Sequence, residues 1–395
     1  MVEKKRKVCV TGIGVVAPNG KNRIEYMNNC LNGVTGIKKS NYLKNLGLVS
    51  EYAGELESDI TDKKEKYYDI SKKAIIEMLD DAGLTKEDIV ELGERASISF
   101  SSCNYLSYCG ELALHTQARN EVSIKGDTGL FFRIIDLLGA KGVVNFSNAA
   151  CASGTLATGV GYDLITYDEA DLVIVGGADV FSDVSLGGFH ILQSMSKDPC
   201  KPFDKNRLGL SIGEAAAYLV LESEEHAKKR GAHIYAEIVG VESRNDAYHM
   251  TSPDPEGQSE FRCMQALMDK FELNDDSVVY VNAHGTATKA NDNMEMKVFK
   301  RLIENNKIDS LRFSSTKSMI GHCLGVAGAV ELALCCMCIE KGEMPLSISV
   351  DEPDDIGNAI LVTSKEQSVP YEYCISNSFA FAGNCACVGI KKYNE

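Results

Sequence analysis

Residues 143–164, VVNFSNAACASGTLATGVGYDL, and residues 311–332, LRFSSTKSMIGHCLGVAGAVEL, follow one plan: a short β-rich run, a polar turn, then a helical stretch loaded with small residues. Glycine inside a helix costs about 1 kcal/mol relative to alanine. That many glycines in two matching places therefore call for close backbone approach. Gly154, Ala157, Thr158 and Gly161 in the first copy, and Gly321, Gly325, Gly328 and Ala329 in the second, leave little side chain between neighbouring helices. The two helices are expected to lie at the centre of the molecule, sandwiched between two sheets.

The surroundings repeat as well. Strand-like runs KVCVTGIGVV, ASISFSS, GVVNFS, DLVIVGGA and AAAYLVLES alternate with helical patterns such as YYDISKKAIIEMLDDAG, the signature of α/β architecture. After EEHAKKRGA the order restarts with HIYAEIVGVESRNDAYHMTSP and runs through SVVYVNAHGT and LRFSSTKS to EYCISNSFAF. The expectation is two halves related by a pseudo-twofold axis, residues 1–232 and 233–395. With 44% hydrophobic and 25% charged residues, the chain reads as a globular protein. No window approaches the roughly 18 apolar residues of a membrane span. The basic start MVEKKRKVCVTGIGVV, broken by Gly12 and Gly14, reads as a strand rather than a leader. A cytoplasmic location is expected, with no membrane partner.

In such a compartment the fourteen cysteines are mostly thiols. They form no paired CxxC framework, and no metal is expected; Cys335, Cys336 and Cys338 sit in an apolar helical pattern and read as buried packing thiols. Cys151 stands apart. It lies between the strand and the helix of the first repeat, where a helix N-terminus favours a thiolate. NAHGTAT and SSTKSMIGH supply two histidines, His284 and His322, in turns just beyond strand ends, where α/β proteins place their chemistry. One cysteine and two such histidines read as a nucleophile with two proton-handling or hydrogen-bonding partners.

With these residues in place, the sequence resembles the β-ketoacyl-acyl-carrier-protein synthases of the thiolase-like superfamily, in particular the elongating type II enzymes. The resemblance spans nearly the whole chain and is densest in NAACASGT, EEHAKKRGAHIYAEIVG, DAYHMTSP, VNAHGTAT, SSTKSMIGH, GVAGAVE and NSFAF. It implies an αβαβα sandwich with two five-stranded mixed sheets, no bound cofactor, and a homodimer or a heterodimer with a related subunit. It further implies that Cys151 takes an acyl chain from the phosphopantetheine arm of an acyl carrier protein. His284 and His322 would bind the malonyl thioester and stabilise the enolate left by decarboxylation, in fatty acid or polyketide and polyene chain elongation. The acyl oxyanion would be held by the N–H groups of Cys151 and Phe381. Lys317 and Glu331 would orient the histidines, or else form a charge pair holding the two halves together. Thr251, Thr286 and Thr288 would line the pantetheine tunnel, or else serve only as turn residues. Asp246 and His249 match a family motif without a chemical step being assigned to them.

A net charge of −15 argues against nucleic acid as a partner. Against that background the basic residues Lys63, Lys64 and Lys66, with Lys205 and Arg207 as weaker candidates, match the region on which an acidic carrier would dock; a solvated helix face is the plainer reading. Three features depart from the family pattern. AFAGNC puts Ala380, Ala382 and Cys385 where the family's gate loop around Phe381 is richer in glycine. The segment between Ser101 and Cys151, expected to line the acyl pocket, is short. GEAAA at 213–217 replaces a more glycine-rich form. A thiolase using Cys385 or Cys387 as second cysteine, and a non-catalytic chain-length subunit, are the competing readings.

Overall fold

The computed structural model describes residues 5–105, 107, 129–274, 277–309 and 311–394. Its strands are β1 (Val8–Val16), β2 (Lys38–Lys39), β3 (Tyr52–Ala53), β4 (Ala96–Ser101), β5 (Val144–Ser147), β6 (Leu172–Asp179), β7 (Ala215–Ser223), β8 (Ala236–Asn245), β9 (Val279–Asn282), β10 (Leu311–Ser314), β11 (Ile360–Leu361), β12 (Tyr373–Phe379) and β13 (Asn384–Lys392). β2 and β3 form a separate two-stranded sheet. The remaining eleven form one hydrogen-bonded series, β11-β10-β9-β12-β13-β8-β1-β7-β6-β4-β5.

That series contains one five-stranded pattern twice. β5-β4-β6-β7-β1 and β10-β9-β12-β13-β8 place their strands in the same relative order. The pairing senses match too: β4 is parallel to β5 and β6, while β6 and β7, and β7 and β1, are antiparallel. In the second copy β9 is parallel to β10 and β12, and β12 to β13 to β8 run antiparallel. Two details add to the expected pair of five-stranded sheets. Val8, Cys9 and Val10 pair with Ile238, Glu237 and Ala236, so the sheets are joined edge to edge, and β11 adds a sixth strand outside β10. The first copy has no described strand outside β5.

Helices complete a layered α/β thiolase fold. Helix Lys63–Ala82 covers the outer face of the first sheet, helices Gln258–Met268 and Lys289–Asn306 lie outside the second, and helices Ser153–Thr166 and Ala327–Lys341 pack between the two. Three large apolar clusters fill the layers: one between the two sheets around the central helices, one outside the first sheet and one outside the second. β1 is buried along its whole length, which is why VCVTGIGVV shows no polar alternation: both faces are covered. At Gly14 a Cβ would lie 1.8 Å from the carbonyl oxygen of Ala74, so the outer helix lies directly on the strand.

The small residues of the two central helices do what their sequence called for. A Cβ on Gly154 would stand 2.7 Å from the backbone nitrogen of Ala329, and one on Gly328 would stand 2.3 Å from Thr155 Oγ1. The helices touch backbone to backbone at their N-terminal turns. Every residue from Ala327 to Ile339 is buried, including Cys335, Cys336 and Cys338, so this helix has no wet face and no amphipathic pattern. The crossing brings the start of one repeat's helix against the start of the other's, and Thr155 Oγ1 lies 2.8 Å from Ser378 Oγ at the end of β12.

Candidate active site

Chemistry-bearing residues of both repeats meet at that crossing. The chain leaves β5, turns through Ala150 at φ 50°, and starts its helix at Ser153 with Ala152 as N-cap. Ser153 Oγ fixes the turn, accepting from Ala149 N–H at 2.8 Å and donating to the Ala150 carbonyl at 2.5 Å. Cys151 therefore sits one residue ahead of the N-cap rather than in the first helical turn, held in a positive-φ turn that a non-glycine residue rarely adopts. Its side chain is buried. The thiolate expectation needs correcting: burial pushes the thiol up to about 12, and the nearby positive charge of Lys317 offsets only part of that.

His284 follows β9. Its own N–H and that of Gly285 donate to the carboxylate of Glu295 at 2.9 and 2.7 Å. His322 follows a short helix, Lys317–Ile320, that stops at Gly321 with φ 75°. The two rings lie 5.3 Å apart at 86° to one another. Leu324 N–H donates to His322 Nδ1 at 3.2 Å, which leaves Nε2 as the ring nitrogen that carries a proton. Both histidines are held well below the ordinary range, first by burial, then by the charge of Lys317, and for His284 by His322 as well. They are neutral imidazoles at pH 7.

Lys317 and Glu331 pair at 2.5 Å, each about 1% exposed. They lie on two helices of the second repeat, so the pair does not clamp the two halves together. It places a positive charge behind the histidines, and breaking such a buried pair typically costs about 3 to 5 kcal/mol.

A cavity of about 480 Å³ collects Cys151, His284, His322, Phe379 and Phe381 together with Thr251, Thr286 and Thr288. The threonines also serve local turns: Thr286 and Thr288 hydroxyls are 2.9 Å apart, and Thr251 N–H donates to His249 Nδ1 at 3.1 Å. His249 is exposed, and Asp246 accepts from the N–H groups of Tyr248 and Asp254 at 3.0 and 3.1 Å, so both shape the loop. A second cavity that also reaches Cys151, of about 340 Å³, is lined by Cys103, Ser185, Gly188 and Leu324. Cys151, Phe189, Leu192 and Phe381 border both cavities. The Phe189 and Phe381 rings are 5.6 Å apart between them. Residues 108–128, which make up much of the segment expected to line the acyl pocket, lie outside the described residues.

The gate loop differs from expectation in one respect. Ala382 adopts the left-handed conformation, φ 61° and ψ 21°, that alanine was expected to resist. Its N–H donates to the Met250 carbonyl and its carbonyl accepts from Asn245 Nδ2, both at 2.8 Å. Cys385 and Cys387 line neither cavity with Cys151; Cys385 Sγ instead meets Glu260 Oε1 at 3.2 Å.

The docking set is corrected more sharply. Lys66 is only 12% exposed and pairs at 2.6 Å with the buried Glu214, which also accepts from the N–H groups of Leu56 and Phe181. Arg207 is 2% exposed, bonded to Asp354 and the Asp204 carbonyl, and borders the larger cavity. Both charges satisfy buried carboxylates or carbonyls of their own chain. Lys63 is partly exposed against Asp183 at 3.0 Å, Lys64 is partly exposed, and Lys205 pairs at the surface with Glu352 at 2.9 Å. Glu295, Asp179 and Phe189 had no sequence signal. Two are carboxylates that only the packed fold buries, and the third is one phenylalanine among thirteen.

A doubled five-stranded α/β unit with a cysteine turn and two neutral histidines opening on one cavity defines a thiolase-fold acyltransferase. Residues 5–227 match the N-terminal domain of beta-ketoacyl synthases and residues 235–351 match the C-terminal domain. The chain belongs to the β-ketoacyl synthase family, as an elongating ketosynthase of the type II kind. It is 32% identical to 3-oxoacyl-[acyl-carrier-protein] synthase 2 of Staphylococcus aureus strain N315, over 99% of this chain and 100% of that protein. It is 31% identical to the synthase 2 of Vibrio harveyi with the same coverage. Among solved structures, a chain of AntDE:AntF, a type II polyketide synthase acyl-carrier protein in complex with its ketosynthase bound to the hexaketide, superposes with a TM-score of 0.89 at 29% identity, covering 98% of this chain and 100% of that one. The ishigamide ketosynthase/chain length factor superposes with a TM-score of 0.86 at 29% identity, covering 99% and 100%. Among the described residues no helix is long and apolar enough to cross a membrane.

Proposed function

We propose that Cys151, His284 and His322 carry out a decarboxylative Claisen condensation. Cys151 sulfur attacks the thioester carbonyl of an acyl group on the phosphopantetheine arm; the bond to the pantetheine sulfur breaks, and the thiol proton ends on that departing sulfur. A malonyl thioester then enters the larger cavity. Its carbon–carboxylate bond breaks, carbon dioxide leaves, and the electron pair becomes an enolate whose oxygen lies against His322 Nε2–H and His284. The enolate carbon attacks the acyl-Cys151 carbonyl, whose oxyanion is held by the Cys151 and Phe381 N–H groups. The carbon–sulfur bond breaks, and Cys151 recovers a proton from solvent. The observation that carries this reading is the shared cavity, with two imidazoles held neutral so that they serve as hydrogen-bond donors. Lys317 and Glu331 orient the histidines, and the Lys317 charge adds to the burial that keeps them unprotonated. Thr251, Thr286 and Thr288 line the path of the arm.

The same proposal makes the acyl carrier protein the partner, with Lys63, Lys64 and Lys205 on the approach. Lys63 meets Asp183 at the start of helix Asp183–Ile191, which carries Phe189. It also makes the protein a cytoplasmic homodimer, with the chain divided at residues 232 and 233. Whether the product is a fatty acid or a polyketide is read directly from the acyl groups found on Cys151 by mass spectrometry. The test of mechanism separates two half-reactions. His284→Ala and His322→Ala should each lower malonyl decarboxylation by about a hundredfold or more, the scale of one lost oxyanion donor, while acyl transfer to Cys151 persists. Undiminished decarboxylation in both variants, or acylation mapped to another cysteine, rejects it.

A further inference from the structure

Asp179, the last residue of β6, is fully buried and has no part in the steps above. Its carboxylate is surrounded by donors. The Ser102 hydroxyl at 2.7 Å and Asn104 N–H at 2.9 Å reach Oδ1, Gly325 N–H at 2.8 Å reaches Oδ2, and Cys103 N–H lies 3.1 and 3.0 Å from the two oxygens. These donors belong to two segments distant in sequence, the end of β4 and the turn after His322. Gly325 sits tightly against the first of them: a Cβ there would lie 2.5 Å from Cys103 N. The residue before it, Leu324, stands at φ 52° and gives its N–H to His322 Nδ1. The conformation of the Leu324–Gly325 turn therefore decides which nitrogen of His322 carries the proton.

We propose that Asp179 is a positioning residue for His322, anchoring the Leu324–Gly325 turn against residues 102–104 so that Leu324 N–H occupies Nδ1 and the proton stays on Nε2, facing the cavity. The site wants a carboxylate rather than an amide. All four groups around it donate in this arrangement, and an asparagine of the same shape has one acceptor atom and an NH₂ group that faces N–H donors whichever way it turns. Either Gly325 or the 102–104 segment then loses its anchor. Asp179 holds Cys103 directly and Leu324 through its neighbour Gly325, and both line the second cavity, so the same anchor sets one wall of the space beside Cys151. Its burial raises its pKa to about 6 against the pull of its donors, so it is mostly ionised at neutral pH.

This inference rests on the reading of His322 Nε2–H as a donor, and its test has a readout independent of condensation. Protein labelled with ¹⁵N-histidine, with His322→Gln used for assignment, reports the ring tautomer directly. Wild-type His322 is expected as the Nε2–H tautomer. In Asp179→Asn both tautomers should be populated, and condensation kcat should fall by about tenfold to a hundredfold, the scale of a misplaced catalytic group, with the KM for carrier thioester changed less than about twofold. Asp179→Glu, which keeps both acceptors, should recover part of kcat. A folded Asp179→Asn protein with an unchanged His322 spectrum, or a wild-type His322 protonated at Nδ1, overturns the proposal. If Asp179→Asn does not fold, Gly325→Ala decides, because its Cβ would press on Cys103 N and part the turn from residues 102–104: a shifted tautomer balance supports the anchor, and a wild-type spectrum overturns it. A failed condensation assay with the tautomer change intact would count against the mechanism and leave the anchor standing.

Discussion

At the residue scale, the site is governed by desolvation. Burial holds Cys151 as a thiol against the positive charge of Lys317, and it holds both histidines as neutral rings with that same charge acting in its favour. This has a signed consequence for stability. A histidine whose folded pKa is lowered is protonated first in the unfolded chain, near pH 6.5. Its contribution is complete above that pH and lost as pH falls below it, by up to about 1.4 kcal/mol per unit for each ring. Glu295, which burial pushes up to about 7, and Asp292, at about 6, act in the opposite sense by taking up protons while folded. The whole-protein curve therefore mixes signs, and the comparison to make is with a variant. Wild type should lose stability relative to His322→Gln between pH 7.5 and 5.5, as measured by urea unfolding at each pH. A gap that stays constant across that range would show that His322 is not held neutral. The cysteine and both histidines were legible in the sequence through their neighbours in the chain. The protonation states were not, because they depend on what covers each group.

At the element scale, the gate loop divides its two alanines. Ala382 has φ 61°, which for a residue with a Cβ costs about 1 to 2 kcal/mol, whereas Ala380 is extended at φ −125°. Ala382→Gly should therefore leave the melting temperature unchanged or raise it slightly. Ala380→Gly should lower stability by about 0.4 to 1 kcal/mol, the cost of a looser unfolded chain without relieved strain. Calorimetry on the two single variants checks this, and the reverse order would mean that the loop has another conformation in solution. Rapid-mixing acylation of Ala382→Gly should also be faster, since the hinge next to Phe381 gains access to more backbone angles. The glycine-poor loop was visible in AFAGNC. Which alanine carries the strain depends on bonds to Met250 and Asn245, more than a hundred residues away in sequence.

At the scale of the whole molecule, the two ends of the strand series are unequal. β11 covers β10, while among the described residues β5 ends the other side, with Val144 and the preceding Val143 each 48% exposed. An exposed apolar edge strand is a template for pairing with another chain. A second copy meeting at β5 would also bring the two Cys151 turns, which begin where β5 ends, close to one interface. For the homodimer proposed above, Val144→Lys should convert dimer to monomer in sedimentation equilibrium at micromolar concentration, and a variant that stays dimeric would place the interface elsewhere. The sequence by itself determined the doubled α/β plan, the central helices and the three residues at their crossing, because periodicity and small-residue packing are local properties that survive in a one-dimensional string. The strand order, the edge-to-edge joining of β1 and β8, the burial of Lys66 and Arg207 and the anchor at Asp179 were decided only in three dimensions. A charge or carboxylate on a polar segment looks the same in sequence whether it faces water or a partner, and which of these it meets is settled by long-range packing.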